Sequence, residues 1–214
     1  MLERYIQDTQ NIELNVIKKK SLAFNPVESI KKGIEIIKQS GVHHYAVIGG
    51  IAIWAYVEDE SKHRYTKDVD FAVLLSSSTA IEECINKFQL HYNYLKIGGI
   101  GIREQGLSID FIDRRLDFQS LFTDALNNVK DSIMIDEHIQ IPLVSKEYLI
   151  AMKMVTGEVK DEEDVKNILK NTHVDYGKAR QIVETHLGAA TRNRLDFFAR
   201  EVGLLPPRND YDLS

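Results

Sequence analysis

Apolar and polar positions recur with two different periods along this chain, and the switches between them mark its elements. Val27, Ile30, Ile34 and Ile37 return at helical spacing between Asn25-Pro26 and Ser40-Gly41. That predicts a helix capped by Asn25 with Pro26 at its first position, its lysines forming a solvated face. Tyr45 to Ile48 is an apolar run too brief for a helix, and it stops at Gly49-Gly50, where a backbone without Cβ can turn tightly. Ile51 to Tyr56 then runs without a breaker, so a helix is expected to start at the glycines. Its free N–H groups and positive dipole end would suit a phosphate.

Glu58 to Lys67 is polar, and Asp68-Val69-Asp70 leads into Phe71 to Leu75, a second strand on which both aspartates share a face. Ser76-Ser77-Ser78 caps a helix running from Ser78 to Phe88, followed by a strand over Tyr92 to Ile97 and a loop at Gly98-Gly99-Ile100-Gly101. In Leu107 to Ile112, Leu107, Ile109 and Phe111 fall on one face while Ser108 and Asp110 fall on the other. Phe118 to Val129 reads as a helix, and His138 to Val144 as a last strand, placed at an edge because Pro142 would interrupt a central one. Ser145 caps a helix from Lys146 to Thr156 with Leu149, Met152 and Val155 inward, ended by Gly157. A further helix runs from near Asp161 to Lys170, and two more cover Ala179 to Leu187 and Thr191 to Val202. Met1 to Ala23 has no firm period. The fold class expected is α/β (α+β): a mixed sheet flanked by helices and followed by a C-terminal helical lobe. Its domains are an N-terminal appendage (1–24), a sheet domain (25–144) and the lobe (145–214).

Candidate chemistry sits on the strands. Two adjacent carboxylates repel by roughly 1 kcal/mol in water and about 4 kcal/mol at an effective dielectric near 20, so Asp68 and Asp70 need compensation, from solvent and the nearby Arg64 and Lys67 or from a divalent ion. Asp110 supplies a third acid, with Asp113 ranked second because it falls on the opposite strand face. Three carboxylates beside a phosphate-binding turn suit two Mg²⁺ ions clamping the attacking and leaving oxygens of a phosphoryl or nucleotidyl transfer.

Gly49-Gly50, Arg64-x-Thr66-x-Asp68-x-Asp70 and a lone Asp in a later strand together resemble the nucleotidyltransferase fold related to polymerase β, and most resemble its AbiEii-type toxin branch. Many members carry Gly-Ser where this chain has Gly49-Gly50, so one hydroxyl expected on the triphosphate is missing. Later in the chain, Val144 to Lys153 followed by Lys160-Asp161-Glu162-Glu163-Asp164 is similar to that branch's helix lysine and Lys-Asp-x-x-Asp motif. Glu158 stands where members often carry Arg. With Asp175-Tyr176 and the final helices, the resemblance spans Val27 to Val202. It implies a nucleotidyltransferase-type fold, Mg²⁺ or Mn²⁺ held by Asp68, Asp70 and Asp110, and an NTP bound through Gly49, Gly50, Arg64, Thr66, Lys67 and Lys153. Lys160, Asp161 and Asp164 would be auxiliary. The acceptor would be a hydroxyl of RNA, particularly tRNA, or of a protein or small molecule, and an antitoxin protein would be a further partner.

Composition narrows these expectations. A chain of 214 residues, 43% hydrophobic, can bury one good core or a domain with a smaller lobe. A formal net charge of -5 argues against an overall basic nucleic-acid binder, which leaves a local basic cleft or the lobe's Arg180, Arg192, Arg194 and Arg200 for an anionic acceptor. One cysteine, Cys84, forms no internal disulfide and reads as a packed thiol. No signal peptide or long apolar span is evident, which makes the cytoplasm the expected compartment and gives the membrane no role. His43-His44 points to opposite sides of a strand and is no metal pair. A glycosyltransferase DxD or a dehalogenase-type phosphatase would explain fewer of these residues. The non-enzymatic alternative is a nucleotide-binding member of the same fold acting as an interaction protein.

Overall fold

The computed structural model describes residues 8–11, 25–136 and 139–207. The chain divides into two compact units: one runs up to Ala55 and resumes from His63 to Ser145, and the other takes Tyr56–Lys62 and the chain from Lys146 on.

The first unit is a mixed α/β fold. Its strands are β1 (Asp8–Asn11), β2 (Tyr45–Ile48), β3 (Val69–Val73), β4 (Tyr92–Tyr94), β5 (Gly99–Glu104), β6 (Leu107–Ile112), β7 (Asp131–Asp136) and β8 (Ile139–Leu143), in one sheet of order β1-β7-β8-β2-β3-β6-β5-β4. β3 lies at the centre, antiparallel to β2 and parallel to β6. Phe71 on β3 and Phe111 on β6 are register partners whose rings stack at 5.8 Å, both fully buried. Helix α1 (Pro26–Gln39) packs on these two strands, and its Gly33 leaves the space that Phe71's ring fills. The fully buried Ile30, Ile36 and Ile37 of α1 contribute about 2 kcal/mol each. Since side chains alternate along a strand, filling this face with Phe71, Ile109 and Phe111 turns Asp70 and Asp110 to the other.

Helix α2 (Gly49–Tyr56) follows β2 directly, α3 (Ser78–Lys87) follows β3, and α4 (Gln119–Asn127) precedes β7. β5 and β6 form a hairpin closed by Gln105 and Gly106, both at positive φ (51° and 78°), the combination that matches a tight turn to strand twist.

Several expectations are corrected. β8 is an interior strand, paired with both β7 and β2. Pro142 is tolerated because successive N–H groups point to alternate sides. Val144 donates to Val47 on β2, so the imino nitrogen of Pro142 faces β2 too, where pairing is a single bridge, Val47 to Leu143. The predicted glycine loop is instead the start of β5: Gly99, at φ 122°, is paired with Ile112, and a Cβ there would collide with the Phe111 carbonyl. Strand β7, with Ile133 and Ile135 buried in alternation, was not anticipated. The strand at Tyr92 ends at Tyr94. Ser77 caps α3 without a side-chain bond, while Ser78 Oγ donates to Asp113 Oδ2 at 2.6 Å. Of the N-terminal appendage, residues 8–11 form edge strand β1; its other residues, and His138, lie outside the described residues.

The second unit packs α5 (Lys146–Met154), α6 (Val159–Asn171) and α7 (Tyr176–Glu201) on one another. α6 starts at Val159, earlier than expected, with Glu158 as its N-cap. α7 is two helices meeting at Gly188, whose φ of 84° and ψ of 173° interrupt the helix where the predicted pair was separated. Among the described residues, no helix is long and apolar enough to cross a membrane.

Candidate metal centre

Asp68, Asp70 and Asp110 converge in the first unit, each offering a carboxylate oxygen, with all three oxygens within 4.8 Å of one another. Register explains it. Asp70 is level with Asp110 across the parallel β3–β6 pair, and Asp68 precedes Asp70 by the two-residue step that returns a side chain to the same face. Cys84 is buried in α3, and His43 and His44 are exposed in the turn before β2.

The glycines around this cluster are there for room. Gly49, at φ 67°, sits so close to Asp70 that a Cβ would collide with Oδ2. At Gly50 a Cβ would lie 2.8 Å from Thr66 Oγ1, and at Gly101 it would lie 2.8 Å from Asp110 Oδ1. Thr66 is buried and donates its hydroxyl to the Asp68 carbonyl at 3.1 Å, so it fixes the backbone that presents Asp68. The loop before it is tied down by Trp54, whose Nε1 donates to the Arg64 carbonyl while its ring stacks on His63 at 6.0 Å. Arg64 Nη1 donates to the Tyr65 carbonyl, and Lys67 is exposed.

Asp110 is only 7% exposed. Burial, reinforced by the charge of Asp68 and opposed by Arg103, pushes its carboxyl up to about 6. Among the described residues its Oδ1 accepts no hydrogen bond; Arg103 Nη2 pairs with it at 2.7 Å by charge alone, its N–H out of line. A buried oxygen left this way, in a set of hard carboxylate donors walled by glycines, fits a divalent cation.

Arg103 is the residue that sequence reasoning missed. Its Nη2 donates to Asp110 Oδ2 at 2.8 Å and to Asp68 Oδ2 at 3.3 Å, and its Nη1 donates to the carbonyls of Ile102 and Ile109. A signal was available: Ile100 and Ile102 alternate inward, which puts Arg103 on the face of Gly101, opposite Ser108 and next to Asp110 across a two-residue turn. Asp113 is elsewhere, 1% exposed and held by Ser78 and Arg115.

The remaining predicted residues belong to the second unit. Lys153, itself buried, places Nζ 2.6 Å from Asp161 Oδ1 and 2.9 Å from Asp164 Oδ2, and Asp161 also accepts from Thr156. Burial alone would raise the Asp161 carboxyl; Lys153 and Thr156 reverse this and hold it below the usual range. Lys160 pairs with Glu158 at the surface. Three arginines of this unit pair with its own acids: Arg180 with Asp196, Arg192 with Glu184 and Arg194 with Glu162.

No protein-family model matches the chain. No curated protein matches it either. Three solved structures are similar in outline. A crystal structure of a candidate nucleotidyltransferase from Thermotoga maritima is 14% identical, with a TM-score of 0.39, over 67% of this chain and 93% of that one. The solution structure of the antibiotic-resistance factor ANT(2'')-Ia is 13% identical, with a TM-score of 0.38, over 83% and 94%. A tRNA nucleotidyltransferase complexed with a primer tRNA and an incoming ATP analogue is 13% identical, with a TM-score of 0.31, over 84% of this chain and 64% of its own length. At these scores the likeness carries no functional weight, which falls on the carboxylate cluster.

Proposed function

We propose that this chain is a metal-dependent nucleotidyltransferase that moves a nucleoside monophosphate from an NTP to a hydroxyl acceptor and releases pyrophosphate. The observation that supports this most is the convergence of Asp68, Asp70 and Asp110, with a buried oxygen on Asp110 that accepts no hydrogen bond among the described residues, beside the Gly49-Gly50 start of α2. These three aspartates would hold Mg²⁺ or Mn²⁺. When bound, the ion supplies charge neutralisation and polarisation at the transferring phosphoryl group. The bond from the acceptor oxygen to the α-phosphorus forms as the bond from that phosphorus to pyrophosphate breaks, and Asp110 takes the acceptor's proton on its carboxylate.

Gly49 and Gly50 offer backbone N–H groups to the β and γ phosphates, with Arg64 and Lys67 as counter-charges. Thr66 acts through Asp68 by holding its carbonyl. Lys153 is a separate proposal: buried and paired with Asp161 and Asp164, it is the cation that unit would present to a phosphate, with Lys160 next to Asp161 in sequence. The resemblance to the AbiEii-type branch favours an RNA acceptor, tRNA above all, and a separately encoded antitoxin.

The test is transfer of label from each of four α-phosphate-labelled NTPs, with Mg²⁺ or Mn²⁺, into an extract resolved into RNA, protein and small molecules. Label should enter one fraction with wild type and none with Asp70→Asn. Pyrophosphate should appear in step with it. Binding of NTP without release, with every NTP and fraction tried, would make the protein a non-catalytic binder. Growth arrest on expression, relieved by Asp70→Asn, tests the toxin reading.

A further inference from the structure

Arg103 reaches the carboxylate cluster from β5, and its guanidinium is anchored at both ends. Nη1 is tied to the backbone of both hairpin strands, through Ile102 O at 2.9 Å and Ile109 O at 3.1 Å. Nη2 sits in the wedge between Asp68 and Asp110, 3.3 Å from the first and 2.7 Å from the nearer oxygen of the second. Those same carboxylates are two of the three that would ligate the metal. The side chain is 40% exposed, so it has open solvent to move into.

We propose that Arg103 is a tethered competitor of the metal: it neutralises Asp68 and Asp110 while no divalent ion is bound, and it must leave them for the ion to enter. This rests on the metal-binding reading above. Three carboxylates this close repel one another by about 4 kcal/mol per pair at an effective dielectric near 20, and one guanidinium offsets part of that. A dication held by these aspartates would need carboxylate oxygens that Nη2 now neutralises, and two cations competing for the same oxygens would repel each other. Departure requires only side-chain rotation, because the backbone of β5 is held independently by its pairing with β4 and β6. Metal affinity is therefore set partly by the contacts that Arg103 gives up, and removing them raises it.

The experiment is calorimetric titration of the full-length protein with Mn²⁺. Wild type, Arg103→Gln, Arg103→Lys and Asp70→Asn are compared, with Trp54 fluorescence reporting the fold. Arg103→Gln should bind about tenfold more tightly than wild type, a gain of about 1.4 kcal/mol. Lysine keeps the charge but loses the fork, and should fall between. Equal or weaker binding in a folded Arg103→Gln overturns the inference and makes Arg103 an aid to the carboxylates' orientation. Loss of Mn²⁺ binding in Asp70→Asn checks the metal reading separately, and no binding by any variant overturns both. A second readout needs no variant: phenylglyoxal modification of Arg103, followed by mass spectrometry, should speed up severalfold when Mn²⁺ is added to wild type, and an unchanged rate would refute displacement.

Discussion

Replacing Asp110 by Asn should stabilise the protein while destroying its metal site, and the size of the gain follows from burial. The carboxyl of Asp110 is raised from 3.8 to about 6 in the fold, first by desolvation and then by the charge of Asp68, with Arg103 opposing. The folded state therefore holds a proton that the unfolded chain has already released between about pH 4 and 6. Stability is greatest below this window, falls as pH rises through it, and levels off above. A shift of about two units corresponds to about 3 kcal/mol. Asn resembles the protonated acid, so Asp110→Asn should exceed wild type by up to about 3 kcal/mol at pH 8 in chelator and match it near pH 4. Urea unfolding followed by Trp54 fluorescence is the assay, since Trp54 is the only tryptophan and lies in the same unit as Asp110. With an m-value of about 2 kcal/mol/M the midpoint should move by more than about 1 M at pH 8. Added Mg²⁺ should raise wild type and leave the variant unmoved. A variant less stable than wild type at pH 8, or a difference indifferent to pH, would refute the reasoning.

Other substitutions separate the site from its scaffold. Gly49→Ala forces a Cβ into Asp70 at a left-handed φ, and should cost at least about 1 kcal/mol in urea unfolding and weaken Mn²⁺ binding together. Asp113→Asn replaces one of the two carboxylate oxygens that accept from Ser78 and Arg115 with a donor and removes the charge, and should cost about 1 to 3 kcal/mol while leaving Mn²⁺ affinity at the wild-type value. Lys153→Met strands Asp161 and Asp164, and should cost about 3 to 5 kcal/mol in circular-dichroism melts at pH 7. Because the Asp161 carboxyl is lowered in the fold, the wild-type advantage is present above about pH 4 and should shrink as pH falls through the lower folded value.

The carboxylate-bearing strands were legible because a period of two fixes which side chains share a face, and Asp68, Asp70 and Asp110 obey it beside fully apolar partners. The turn at Gly49-Gly50 was legible for its permissive backbone, but the reason for glycine there was not: it is the nearness of Asp70 and Thr66, a relation between strands that no local window contains. Arg103 escaped for a related reason. Glycines at 98, 99 and 101 suggest a loop, whereas Gly99 and Gly101 are strand residues kept small by the Phe111 carbonyl and the Asp110 carboxylate. β8 was displaced to an edge by a rule about proline that holds only on the side facing its missing N–H. The acids beside three of the lobe's arginines, Glu162, Glu184 and Asp196, were not legible because only helix packing brings each pair together.

The β5–β6 hairpin has a consequence for how this protein reaches its native state. Arg103 and Asp110 are neighbours across a two-residue turn and can meet within the microseconds a hairpin takes to close. Asp68 and Asp70 arrive later, because the parallel β3–β6 pairing must wait for α3, β4 and β5 to be bridged. The first carboxylate is thus already neutralised when the other two approach, which lowers the electrostatic barrier to docking the central strand. In stopped-flow refolding with chelator present, Arg103→Gln should fold more slowly than wild type at neutral pH and regain speed below about pH 4 as the aspartates protonate. An equal folding rate would mean that the sheet assembles before these charges come within range of one another.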